Sequence, residues 1–143
     1  MSDDAGILDT LTSAYSDAVE RLDVDALLGL YRQDARVFDL WSDWQYRGHD
    51  EWRPRIQMWF DSSESEGSSA EFVDMQIEVV GDAAFASGFV AYTGLPDDGD
   101  DAEEESMDNR ITWALVREGE RWLIAHEHTS IPIDDEGEPI FTR

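Results

Sequence analysis

Two histidines stand two residues apart near the end of the chain, in the run Trp122-Leu123-Ile124-Ala125-His126-Glu127-His128-Thr129-Ser130. An imidazole titrates near neutrality, so a positioned histidine can take or give a proton at physiological pH. Along a strand, residues two apart face the same side. That alternation predicts one stripe of Trp122, Ile124, His126, His128 and Ser130, apolar at one end and polar at the other, as suits a strand running from a packed core to a pocket mouth. Arg110 and Thr112 share a face on the preceding strand. In register with the histidines, Arg110 would bind a ligand carboxylate or phosphate through its planar fork. The alternative is structural, with Arg110 paired to Asp39, Asp108 or Glu127 and the imidazoles bonded to neighbours. His-x-His with a carboxylate such as Asp39 or Glu127 also offers donors for zinc or iron. Glu127, however, alternates away from the histidines and His49 has no fixed relation to them, so no metal site is expected.

Aromatic residues form the second feature. Six tryptophans in 143 residues is a high count. Trp41, Trp44, Tyr46, Trp52 and Trp59 cluster in one stretch, and flat aromatic faces suit a planar or cyclic hydrophobic ligand. The alternative is that several plug a core or cover a dimer contact, which is the expectation for Trp113 and Trp122. Trp52 and Trp59, seven apart, also match an ordinary core stripe on a helix.

Positioning these groups falls to a legible set of elements. Ile7, Leu8, Leu11, Ala14, Tyr15, Ala18, Val19 and Leu22 recur at helical spacing and predict a helix over 5–22. Asp23 can cap a short second helix running through Tyr31. A strand is expected over 35–40, then a tight aromatic loop over 41–48, then a helix over 50–61 with Pro54 near its start. The polar segment 62–69 reads as a loop. Val73, Met75, Ile77 and Val79 alternate onto one strand face up to a Gly81-Asp82 hairpin turn, and 83–93 is the return strand. Segment 95–105 holds seven acids in eleven residues and reads as a solvated loop. A second hairpin pairs 109–117 with 121–131 across Glu118-Gly119-Glu120, and 132–143 reads as a loosely specified tail. Helices followed by long antiparallel strands predict one α+β domain over 1–143, with a curved sheet against the helices and a pocket at the open end. Ile111, Trp113, Leu115, Leu123 and Ala125 are expected on the outer face, too apolar to stay wet, which predicts a homodimer through that face.

Charge bounds the partners. Thirty-four acids oppose ten cations, all arginine, for a formal net charge of −24. Such self-repulsion opposes compaction in dilute buffer and is largely screened near 1 M salt, where the Debye length is about 3 Å. The composition resembles that of proteins from salt-accumulating halophiles. No basic groove suits nucleic acid. No cysteine is present, which removes disulfides and thiolate chemistry. No run is long enough to span a bilayer, and the acidic start lacks a signal pattern, so a cytoplasmic protein is expected.

Specific residues add a resemblance. The run Leu22-Asp23-Val24-Asp25-Ala26-Leu27, then Tyr31-Arg32-Gln33-Asp34-Ala35, the Tyr46-Arg47-Gly48 step and the closing Trp122-to-Ser130 segment resemble the nuclear-transport-factor-2-like superfamily, in particular its SnoaL-like members. The resemblance implies a cone-shaped α+β roll of cystatin-like type, with a curved mixed sheet on three helices. Trp41, Trp44, Tyr46, Trp52 and Trp59 would then lie at the pocket mouth. Ketosteroid isomerases of this fold use a first-helix Tyr as oxyanion donor and an Asp after the first strand as proton carrier. Tyr15 and Asp39, 24 residues apart, stand at matching positions. A buried carboxylate gains basicity, and a phenol donates without carrying charge. The alternative is a core-edge tyrosine and an aspartate that satisfies loop backbone. Thr112 stands where the isomerase has its second, acidic donor, and Leu40-Trp41 follows Asp39 where proline is usual, so a ketosteroid isomerase in the strict sense is not expected. The resemblance implies a small-molecule-binding domain with cofactor-free isomerase, lyase or cyclase chemistry, Asp39 acting as base and Tyr15 with Arg110 or a histidine as anion stabiliser, or else a non-catalytic binding or dimerisation module.

Overall fold

The helical spacing near the N-terminus folds as one amphipathic helix. A computed structural model describes residues 4–62, 69–94 and 105–143. It sets helix α1 at Asp4–Arg21, with Leu11, Tyr15, Ala18 and Val19 buried along one face. Asp23 caps α2, Val24–Leu28, its carboxylate accepting from Ala26 N at 3.1 Å. That bond satisfies one of the donors left open at a helix start. Tyr31 does not continue this helix. It opens strand β1, Tyr31–Phe38, which therefore starts four residues before the expected 35. A two-residue strand β2, Tyr46–Arg47, pairs back on β1. Helix α3, Gly48–Ser62, buries Trp52, Ile56 and Phe60 on its inner face.

Four long strands complete the sheet: β3 Ser69–Val80, β4 Ala83–Gly94, β5 Glu105–Glu118 and β6 Arg121–Ser130. Their order is β2-β1-β6-β5-β4-β3. Only β1 against β6 is parallel. Gly81 and Gly119 turn the two hairpins with φ of 63° and 66°, a region glycine enters at no steric cost. The core lies between the inner sheet face and the helices, around Tyr15, Leu27, Val37, Ile56, Val90, Ile111, Trp113, Leu115 and Ile124.

Two bulges decide which side chains face that core. In β6, Leu115 pairs with Ile124 while Ala114 pairs with His126, so Ala125 is an extra residue. In β3, Asp74 and Met75 together oppose Gly88, and Asp74 takes φ of 53°. An extra residue shifts the period-2 alternation by one and reverses every face beyond it. Val73 consequently leaves the face of Met75, Ile77 and Val79. On β6, Ile124 points inward but so do Glu127 and Thr129, while His126, His128 and Ser130 lie on the outer face. The single stripe expected from Trp122 to Ser130 is thus broken at Ala125. The expected faces of β5 are also exchanged. Ile111, Trp113 and Leu115 are buried inward, and Arg110 and Thr112 are exposed outside.

The tail is more ordered than its composition suggested. Asp134 Oδ1 accepts from Glu136 N and Glu138 N, and Ile133 bridges to Pro139. Asp108 N then donates to Phe141 O at 2.8 Å, so the tail takes over alongside β5 where β6 ends. The acidic segment 95–104 and residues 63–68 lie outside the described residues. Among the described residues no helix is long and apolar enough to cross a membrane.

Candidate functional site

A cavity of about 360 Å³ opens between α1, α3 and the inner sheet face. Apolar and aromatic walls come from Trp41, Trp52, Met58, Trp59 and Met107; the polar groups are Tyr15, Asp39, Arg55, Tyr92, Asn109 and Glu127. Each is delivered by a regular element. Tyr15 comes from the buried stripe of α1 and Tyr92 from the inner face of β4. Arg55 occupies an inward position of α3, between Trp52 and Trp59. Asn109 precedes Ile111 on the inner face of β5. Asp39 directly follows the last residue of β1, and the bulge at Ala125 turns Glu127 in.

Two carboxylates meet here. Glu127 is 2 % exposed, and its Oε1 accepts from Tyr31 OH at 2.6 Å and Trp113 Nε1 at 2.9 Å. Burial pushes its carboxyl up to about 7; the two donors pull it down, and the nearby Asp39 charge adds to the rise. Asp39 accepts from Thr129 Oγ1 at 3.2 Å and lies 3.8 Å from Arg55 Nε. Burial also lifts Asp39 above the ordinary carboxylate range, against the lowering effect of Thr129, Arg55 and the backbone N–H groups of Leu40 and Trp41. Tyr15 and Tyr92 share a hydroxyl–hydroxyl bond at 2.8 Å. Burial holds both phenols protonated, well above their usual range. The cavity therefore contains two carboxyls biased toward their neutral forms, one guanidinium and two neutral phenols.

The other expected site residues divide between core and outer surface. Tyr46 is buried against Trp52 and donates to Trp41 O at 3.3 Å, a packing role. Trp44 is 96 % exposed. With Trp41, His128 and Ser130 it borders a larger groove, about 980 Å³, on the outer side between loop 39–45 and the tail. His126 donates through Nδ1 to Arg36 O at 2.7 Å, and Phe38 packs edge-on against both imidazoles. Arg110 donates to Ser130 Oγ at 3.0 Å and pairs with none of Asp39, Asp108 or Glu127. Among the described residues no three His, Asp or Glu side chains gather as a metal site.

The profile of the SnoaL-like domain family matches residues 8–134. The chain belongs to the SnoaL-like domain family. Solved structures share its fold. An NTF2-like protein of unknown function from Pseudomonas putida KT2440 is 22% identical, with TM-score 0.77 over 97% of this chain and 96% of that one. A candidate aromatic ring hydroxylase from Novosphingobium aromaticivorans is 20% identical, with TM-score 0.77 over 98% and 94%. A candidate dehydratase of the NTF2-like family from Streptomyces avermitilis is 16% identical, with TM-score 0.73 over 96% and 97%. No curated protein matches the sequence. The architecture is the cystatin-like α+β roll found in such structures.

Within this SnoaL-like domain, sequence reasoning missed the cavity cation Arg55 and named the late-strand acid Glu127 only as a metal ligand or ion-pair partner, not as a cavity residue. Arg55 carried a signal: a charge at an inward position of the 52/56/59/60 stripe is costly unless it is paired or used. Glu127 carried little, because its face depends on one inserted alanine. Together the groups can remove a proton, stabilise the resulting anion and return a proton.

Proposed function

We propose that the cavity is the active site of an acid–base lyase or isomerase working on a small cyclic substrate with its own side chains. Asp39 is the base: desolvation raises its basicity, and it directly follows β1 at the cavity wall. Arg55, rather than Arg110 or a histidine, is the cation placed to stabilise an oxyanion, with the Tyr15–Tyr92 pair as neutral donors. Glu127 is the acid. Tyr31 and Trp113 both bind Oε1, which favours a proton on Oε2. The observation that carries this reading is the presence of Asp39, Glu127 and Arg55 in one aromatic-lined hollow. In the reaction Asp39 takes a proton from carbon beside a carbonyl, the carbonyl oxygen becomes an enolate facing Arg55, and Glu127 either protonates a leaving hydroxyl or returns a proton elsewhere on the ring. The dehydratase-type relative points the same way by fold alone.

Solvent exchange tests this. 1-Tetralone in deuterated buffer, followed by proton NMR, should lose its α-protons faster with the protein than without. Asp39→Asn should reduce that acceleration about 10²–10⁴-fold, the usual range for a general base. Binding without accelerated exchange would mark the domain as a non-catalytic ligand module.

A homodimer through the outer sheet face is part of the same proposal, on residues other than those first expected. Three cross-strand rows there are Phe38–His128–Thr112–Ser87, Arg36–His126–Ala114–Phe85 and Ser130–Arg110–Phe89. Continued onto β3 they reach Gln76, Glu78 and Val73, so Glu78 is their one acid in a chain with 34, and two copies meet there with little repulsion. Sedimentation in high salt should give a dimer that Phe85→Glu dissociates; a monomeric wild type would exclude it.

A further inference from the structure

Three buried side-chain atoms among the described residues lack a hydrogen-bond partner: Trp52 Nε1, Arg55 Nε and Asn109 Oδ1. All three belong to residues that line the interior cavity described above. Buried polar atoms are nearly always paired, because an orphan costs its full desolvation penalty. Coincidence of all three in one hollow is what a site looks like when its polar guest supplies the missing partners. Asn109 is the sharpest, at 3 % exposure. Trp52 Nε1 faces the Tyr31 hydroxyl without meeting it at bonding geometry, so Arg55 and Asn109 carry the argument.

Their chemistry is of opposite polarity. Arg55 Nε is a donor, and Asp39 Oδ2 at 3.8 Å is too far to bond it. Asn109 Oδ1 is an acceptor. One stands on α3 and the other on β5, on different walls. We infer that Arg55 and Asn109 are the specificity-determining pair of this cavity, and that its ligand is a neutral ring compound presenting an acceptor oxygen to Arg55 and a separate O–H or N–H donor to Asn109. Neutrality follows from the charge balance: the Asp39 base is the counter-charge to Arg55, and the protonated Glu127 supplies no cation, so an anionic group would enter without a free counter-charge. The inference rests on the cavity being a ligand site, as proposed above.

Four matched probes test it by quenching of tryptophan fluorescence: tetralin, 1-tetralone, 1-tetralol and 4-hydroxy-1-tetralone. The last carries both functions and should bind roughly tenfold tighter than either single-function compound, since one paired hydrogen bond is worth up to about that much. Asn109→Leu should bring 4-hydroxy-1-tetralone to the level of 1-tetralone, and Arg55→Met should bring 1-tetralone to the level of tetralin. The wild-type series is decisive even where a variant fails to fold. Equal affinity for all four overturns the polarity assignment and leaves the cavity standing as an apolar ligand site. Absence of binding by any of them overturns both.

Discussion

Glu127 is a carboxyl with almost no water, held by a phenol and an indole N–H that both reach the same oxygen. Its folded-state pKa near 7, against 4.5 ordinarily, means that folding favours the protonated acid. The stability it contributes is complete below about pH 4.5 and is lost as pH rises through about 7. Between pH 5 and 8.5 the wild type should therefore lose about 2 to 3 kcal/mol relative to Glu127→Gln, a neutral isostere. Urea unfolding of both proteins at fixed high salt measures the gap, and a gap that does not change with pH would show Glu127 to be an ordinary carboxylate. Residue-level reading of the sequence reached Tyr15, Asp39, Trp41, Trp52 and Trp59, which all line the cavity. Apart from Trp41 in loop 39–45, those residues sit on helices or directly after a strand, where spacing fixes direction. Alternation places His126 and His128 inward because it carries no information about a skipped residue, and Arg110 and Thr112 follow them only by the choice of phase on β5.

At the scale of the element, periodicity, capping and strand propensity match each helix and long strand among the described residues, although Tyr31 opens β1 instead of ending α2, and hairpin turns fall at Gly81 and Gly119. Phase was the harder quantity. On β5 the alternative sets were Arg110 with Thr112 and Ile111 with Trp113 and Leu115, and burial of apolar surface settles that choice for the second. The bulge at Ala125 is then what brings Glu127 and Thr129 to the same side as Ile124. If Ala125 is the extra residue, deleting it straightens β6 and leaves Glu127 facing inward. The variant should still unfold cooperatively, about 1–3 kcal/mol less stable. In an unbulged strand the same deletion would turn the histidines' neighbours inside out and abolish the transition. The β3 bulge has its own check. A Cβ on Gly88 would lie 2.8 Å from Asp74 O and 2.9 Å from Met75 Cα, and backbone cannot swing away as a side chain can. Gly88→Ala should cost about 1–3 kcal/mol in chemical denaturation; no loss would mean that the two strands are spaced more loosely there.

Across the whole molecule the charge of −24 dominates. Ion pairs do little to offset it, since most of them, such as Arg53–Asp25 and Arg117–Asp82, are largely exposed, where a pair contributes at most about 1 kcal/mol. Raising KCl from 0.1 to 2 M shortens the Debye length from about 10 Å to below 3 Å. The thermal midpoint followed by circular dichroism should rise by at least about 5 °C, which for a domain of this size reflects roughly 1–2 kcal/mol. An unchanged midpoint would remove the argument for a salt-adapted surface. The sequence made this charge, and the α+β roll itself, plain; it could not separate an interior cavity from the outer groove, because both borrow residues from loop 39–45. A crystal soaked with 4-hydroxy-1-tetralone separates them most directly. The ring should appear in the interior cavity beside Trp52 and Trp59, with its carbonyl oxygen toward Arg55 and its hydroxyl toward Asn109. Density for the compound only in the outer groove, against Trp44 and Phe141, would contradict the account.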